Sequence, residues 1–386
     1  MFLKLILSLV LFWFSCRPYQ TDSMPVDTSV VSPPLIEDKT QDTDVKNKKV
    51  RDPALWPFHH ESPWNLPLSL DAKFESVLDP CTHSLREINR APNQWKKQIV
   101  EVDINAQYWS HPIYVANDDD PFVSVYLDKT GGQSWVDPDG LGSVPVPLDG
   151  FVARIKIPRS AQPAWPSFEE DVWTDAHMHV IHSNHQSVVE MWRVRRVSSD
   201  RIICDGFSFN KLSSDGLAHG ERAYGGSAIA GLIRAQELSA QLIPHALALA
   251  LPRSQQKCCS PVWPASSVDN GAKGSYLGHV PLGQLVAIED NPFDPLKLNW
   301  GSQLKTPIGR TLARTLYEYG AYNVDSSGDM AFYAEPVAES FIDRQLIYQD
   351  LKQIQSYLRC VKNNELARPG GGSLGAKRRA PLAPQL

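Results

Sequence analysis

The chain has 386 residues, 42% hydrophobic and 21% charged, with a formal net charge of −5. That balance suits a globular protein able to bury a sizeable core, and it lacks the basic footprint that nucleic-acid binding requires. Thirty prolines and 23 glycines imply many turns, and many of the 11 tryptophans sit in polar, Pro-rich surroundings rather than in long apolar runs.

Met1-Phe-Leu-Lys4 and the apolar run Leu5 to Phe14 read as a signal peptide over residues 1–16, since the run is too short to span a bilayer comfortably. Its end, Ser15-Cys16, resembles a bacterial lipoprotein signal, although Trp13 stands where a small aliphatic residue is usual. The resemblance implies lipidation of Cys16. It also implies a bacterial cell-envelope protein, periplasmic or surface-exposed, or a secreted one, whose membrane contact is through that anchor alone. Residues 17–50 are rich in Asp, Ser, Thr, Pro and Lys without periodicity, and are expected to be a disordered linker. Five further cysteines (Cys81, Cys204, Cys258, Cys259 and Cys360) predict two disulfides and one free thiol in an oxidising compartment.

Residues 51–366 are expected to form one domain. Asn105 to Val115 reads as a strand pair bent near Pro112, Phe122–Leu127 as a strand, 137–150 as a loop, and Phe151–Ile157 as a strand. Trp173 to Val194 reads as a hairpin turning at Ser183-Asn184-His185-Gln186, followed by a strand at Arg201–Asp205. The Gly-rich run from Asp215 to Gly226 reads as a cleft-edge loop, and Ile229 to Leu238 as a short helix. Ile243 to Leu251 is apolar but for His245, which favours a strand buried on both sides. Pro307 to Gly320 is an amphipathic helix with Thr306 as its cap. Ala321–Asp325 and Met330–Ala334 read as a hairpin over Ser-Ser-Gly-Asp, and a last helix is placed at about 338–358. The basic, Gly-rich tail at 367–386 is expected to be disordered. The pattern predicts a mainly β protein, an antiparallel β-sandwich of jelly-roll type with two or three peripheral helices.

The chemistry concentrates on the central hairpin. With the turn centred between Asn184 and His185, His179 faces Glu190, His177 faces Trp192 and Met178 faces Met191. One face then carries Met178, Val180, Val189 and Met191, and the other Asp175, His177, His179, Glu190 and Trp192. A carboxylate beside an imidazole makes a competent base, so His179 is the expected catalytic base, oriented by Glu190, with His177 beside it. Arg222 and Tyr224 on the following loop would neutralise an enolate and protonate a leaving oxygen. That set fits β-elimination of a uronate-containing glycan. A glycoside hydrolase needs two carboxyls roughly 5–10 Å apart; Asp175 and Glu190 are too far offset, so it would take another acid from Asp205, Glu221 or Asp325. His177-x-His179 with Glu190 superficially resembles a cupin metal pattern. Ser183 and Asn184 stand where that pattern places its acid, so no metal ligand and no cofactor are assigned.

Three strings, Asp175-x-His-Met-x-Val-Ile181 with Glu190-x-Trp192, Gly231-Leu-Ile-Arg-x-x-Glu-Leu238 with Ile243-x-His-Ala-Leu247, and Tyr319-Gly-Ala-Tyr-x-x-Asp325, resemble those of secreted bacterial concanavalin A-like jelly-roll proteins. Some families of that type are polysaccharide lyases and glycosidases. The resemblance implies a polysaccharide substrate, contacted by Asp175, Trp192, Arg222, His245, Tyr322 and Asp325. The Glu-x-Asp-x-x-Glu strand of laminarinase-like hydrolases is absent, and His177-Met-His179 is the nearest analogue of the Gln-x-His strand of alginate lyases. Lyase action leads, with a glycoside hydrolase or a non-catalytic glycan-binding envelope lipoprotein as alternatives.

Overall fold

The computed structural model describes residues 51–86, 101–128, 134–135, 149–164, 175–366, 368–373 and 375–386. The signal segment, Cys16, the linker and most of the 137–150 loop lie outside those residues. In chain order the strands are β1 (Val102–Asn105), β2 (Ile113–Val115), β3 (Phe122–Leu127), β4 (Ser134–Trp135), β5 (Phe151–Lys156), β6 (Met178–Ile181), β7 (Ser187–Trp192), β8 (Arg195–Ser198), β9 (Arg201–Cys204), β10 (Gly206–Lys211), β11 (Leu247–Pro252), β12 (Leu285–Ile288), β13 (Ala321–Ser327), β14 (Met330–Tyr333) and β15 (Leu358–Cys360). The α-helices are α1 (Pro80–Ser84), α2 (Ala235–Ala240), α3 (Pro307–Glu318) and α4 (Arg344–Tyr357). The protein is therefore mainly β.

These strands form three sheets, ordered β1-β14-β11-β13-β12-β15, β2-β6-β7-β10-β4 and β5-β3-β9-β8. Each contains at least one parallel pair, among them β11 with β13, β2 with β6 and β3 with β9. This departs from an all-antiparallel sandwich. Parallel partners are joined by long excursions, which leave no local turn signal in a sequence.

Alternating side chains tie the sheets into layers. On β11, Leu247, Leu249 and Leu251 face a core shared with Leu312 and Leu316 of α3 and Leu351 of α4. Ala246, Ala248 and Ala250 face the opposite way, into a core with Tyr322, Tyr333, Ile181 and Val188. Met178, Val180, Val189 and Met191 then pack on Val123, Val125 and Ile202 of the four-stranded sheet. The five-stranded sheet thus has one apolar face, while its other face meets the six-stranded sheet. The functional groups lie on that second face.

Several expectations change. The strands at 321–327 and 330–333 do not pair with each other, because β11 lies between them, as a strand apolar on both faces must. The helix expected from Ile229 begins only at Ala235, and the last helix only at Arg344, after a 3₁₀ turn at Pro336–Phe341. The tail is not loose. Leu70 N–H donates to the Lys377 carbonyl, and the Arg379 guanidinium lies 4.5 Å from the Tyr317 ring centre while donating to the carbonyls of Ile288 and Tyr317. Cys81 and Cys360 are joined, Cys258 and Cys259 are joined, and Cys204 is free and buried.

Thr306 caps α3 by accepting from Gly309 N–H at 2.8 Å. The buried Asp350 carboxylate of α4 in turn accepts from Lys305 N–H, Thr306 N–H and the Thr306 hydroxyl at 2.7–2.8 Å. Asp350→Ala orphans those donors at a helix N-terminus. It is expected to cost roughly 2–4 kcal/mol, measured as a lower urea midpoint at unchanged slope.

Candidate functional site

The hairpin has the register its alternation predicts. Met178 pairs with Met191, His179 with Glu190 and Val180 with Val189. The ladder ends there. Ala176 (φ 42°) and Arg193 (φ 53°) both take left-handed backbone, and Arg193 N–H and Val194 N–H donate to the carbonyls of Asp175 and Ala176. Non-glycine residues with positive φ are uncommon and gather where function holds the chain. Here they flare the hairpin's open end, so Asp175 leaves the strand and lines a cleft.

That cleft, about 1840 Å³, is lined by Asp175, His177, Trp192, Arg222 and Asp325, together with Tyr108, Trp109 and Tyr333. Trp192 Nε1–H donates to Asp175 Oδ1 at 3.2 Å. The Arg222 side chain is buried, with its guanidinium 3.5 Å from the Tyr333 ring centre and 3.9 Å from Asp325 Oδ2. Asp325 is held by Ser326 N–H at 2.8 Å. Burial, opposed by Arg222 and reinforced by the nearby Asp175 and Asp269, pushes its carboxyl up to about 7. Burial also raises Asp175, against the Trp192 N–H and the charges of Arg222 and Arg193.

Glu190 has a different task from the one expected. It is fully buried and accepts from the Ser227 hydroxyl, from Ala228 N–H at 2.9 Å, from Glu221 N–H at 3.3 Å and from the Ser208 hydroxyl at 3.4 Å. Its carboxylate therefore anchors the glycine-rich loop, not His179. The loop can wrap this closely only because glycine occupies its tight points. Gly225 has φ 91°, and a Cβ on Gly220 would stand 1.8 Å from the Gly226 carbonyl oxygen. Anchoring that loop is what holds Arg222 in the cleft.

His179 is sealed from solvent. Its Nε2 lies 2.9 Å from His111 Nδ1, and burial with the neighbouring Arg222 charge lowers it to about 3. An imidazole so weakly basic and so enclosed does not fit the expected general base. Tyr224 is in the core, its hydroxyl donating to the carbonyls of Gly216 and Ser227 at 3.2 Å, so it is not placed to protonate a leaving group. Tyr322 is equally buried, edge-on to Trp64. His245 lies outside the cleft. It bonds Glu237 at 2.9 Å; burial opposes its charge, but the Glu237 carboxylate outweighs that and raises it. Of the expected site residues, Asp175, His177, Trp192, Arg222 and Asp325 share the cleft. Sequence reasoning missed His111, Trp109 and Tyr333. The Pro112 that follows His111 holds it extended beside a strand, and that is the sole local signal it offers.

No protein-family model, curated protein or solved structure matches the chain. The chemistry is then carried by the cleft alone. It offers a carboxyl pushed up to about 7, a second carboxyl tied to an indole, a buried guanidinium beside them, and exposed rings at the rim. Pairs of acids whose environments separate their protonation are the equipment of general acid–base work. Among the described residues, eight carboxyl groups and three guanidinium groups line the cleft, and burial raises four of the eight, Asp175, Glu221, Asp325 and Asp329.

Proposed function

We propose that the protein is a polysaccharide-cleaving enzyme of the bacterial envelope, lipid-anchored or secreted, that hydrolyses glycosidic bonds of a neutral glycan in this cleft. The observation that carries the reading is the association of Asp325 and Asp175 around Arg222. Asp325 gives its proton to the glycosidic oxygen as the bond to the anomeric carbon breaks. Asp175 serves the other side, activating water or adding to that carbon according to the separation of the two groups. Trp192 and Trp109 offer apolar ring surface to the sugar faces.

The lining offers no excess of cations to hold a polyuronate, which speaks against β-elimination. The enclosure of His179 and Tyr224 removes the base and acid that elimination would use. The test is digestion of a panel of neutral and uronate-containing polysaccharides. The expected result is new reducing ends from a neutral polymer without the ultraviolet absorbance of an unsaturated product. Unsaturated products would restore the lyase reading, and glycan binding with no product from any polymer would favour a non-catalytic binding protein.

A further inference from the structure

Behind the cleft wall, three imidazoles meet. His177 and His179 project from one side of the hairpin, and His111 arrives from the segment that enters β2, the parallel neighbour of β6. His179 N–H donates to the Pro112 carbonyl at 3.0 Å, which fixes the two segments against each other. The rings lie against one another, with centroids 4.2 Å apart for His111 and His177, 5.2 Å for His111 and His179, and 5.6 Å for His177 and His179. One ring nitrogen of each lies within 4.8 Å of the others. His111 also stands edge-on to Tyr333 at 5.1 Å.

We propose that His111, His177 and His179 form a binding site for a divalent first-row transition-metal ion of the zinc class, with a fourth position open to the cleft beside His177.

Two observations support it. First, the donor set is right. Three imidazoles with one open position make a common catalytic metal centre, and nitrogens bonded at about 2.0–2.1 Å in a tetrahedron stand roughly 3.3 Å apart, so modest ring rotations close the present spacing. Second, the interior leaves them under-used. His177 Nδ1 and His179 Nδ1 are buried without a hydrogen-bond partner, and the one contact between ring nitrogens, His179 Nε2 to His111 Nδ1 at 2.9 Å, is already close to the spacing of two ligands on one ion. His177 alone of the three lines the cleft, so a bound ion has an exit to solvent there. Arg222 is the opposing charge. Its guanidinium stands 3.9 Å from Asp325 Oδ2, on the cleft side of the trio. The inference does not depend on the glycan reading, because it is tested by metal content.

The experiment uses the full chain expressed without a histidine tag. Elemental analysis after dialysis should find close to one zinc-class ion per chain. Cobalt(II) added to chelator-treated protein should give the visible bands of a four-coordinate nitrogen site at one equivalent. His111→Ala and His179→Ala should each abolish those bands, whereas His185→Ala, in the exposed turn, should keep them. If either trio variant fails to fold, the wild-type melting temperature decides: chelator should lower it and zinc should restore it. The proposal is overturned if folded wild type takes up no stoichiometric ion, if the bands survive in folded His111→Ala, or if chelator leaves the melting temperature unchanged.

Discussion

Asp325→Asn is expected to lower kcat/KM for glycan hydrolysis by roughly 10²–10⁴-fold, the usual contribution of a positioned general acid, while leaving the fold intact. The amide keeps the shape and the bond from Ser326 N–H but has no proton to give. The groups facing Asp325 set the pH dependence. Arg222 comes from the loop after β10, Asp175 from the hairpin's open end, Asp269 and Tyr276 from the segment before β12, and Tyr333 from β14. Burial and the two acids outweigh Arg222, so the carboxyl titrates at about 7. An acid must be protonated to act. Wild-type kcat/KM should therefore fall as pH rises through that value, with a separate loss on the acid side as Asp175 takes up its proton, and the residual activity of the variant should lack the alkaline limb. A variant with wild-type rate, or with the same falling limb, would assign the acid elsewhere.

Glu190→Ala should act on stability. Removing the carboxylate strands Ser227, Ala228 N–H and Glu221 N–H in a buried site. With about 1–1.5 kcal/mol for each lost bond and the added cost of buried orphans, the loss is roughly 3–5 kcal/mol. In a domain of this size that is a fall in Tm on the order of 10 °C. The loop from Asp215 to Ala228 should become the first site of limited proteolysis. If Glu190 instead served His179 as a catalytic partner, the variant would lose activity with Tm and proteolysis unchanged. Glu190→Gln, which keeps an acceptor for Ala228, should lose less stability than the alanine.

What could be read from the residues follows from how local the determining interactions are. The β6–β7 register was legible because four apolar residues alternate strictly around one short turn, and a slip of one residue would expose all of them. Helix α3 was legible for a similar reason: Thr306, Pro307 and Gly320 mark its ends within a single periodic run. The strands at 321–327 and 330–333 misled because a short polar connection imitates a hairpin, whereas the stronger demand was to cover β11 on both sides. The tail misled because its composition is that of loose chain, yet Arg379 finds two carbonyls and two aromatic rings. In the site, Asp205, Glu221 and Asp325, the acids named from the sequence, all line the cleft, but no local pattern brings Asp325 towards the hairpin, because its strand is placed by the parallel β11–β13 pairing. His111 sits 66 residues before His177 in a parallel neighbour. No periodicity connects them.

The most direct measurement is the structure of the Asp325→Asn protein with a neutral oligosaccharide bound. A sugar face should lie on Trp192 or Trp109, with a glycosidic oxygen within about 3 Å of the side chain at position 325 and Asp175 on the far side of the anomeric carbon. An oligosaccharide seated elsewhere on the surface, or crossing the cleft with no glycosidic oxygen in reach of position 325, would contradict it.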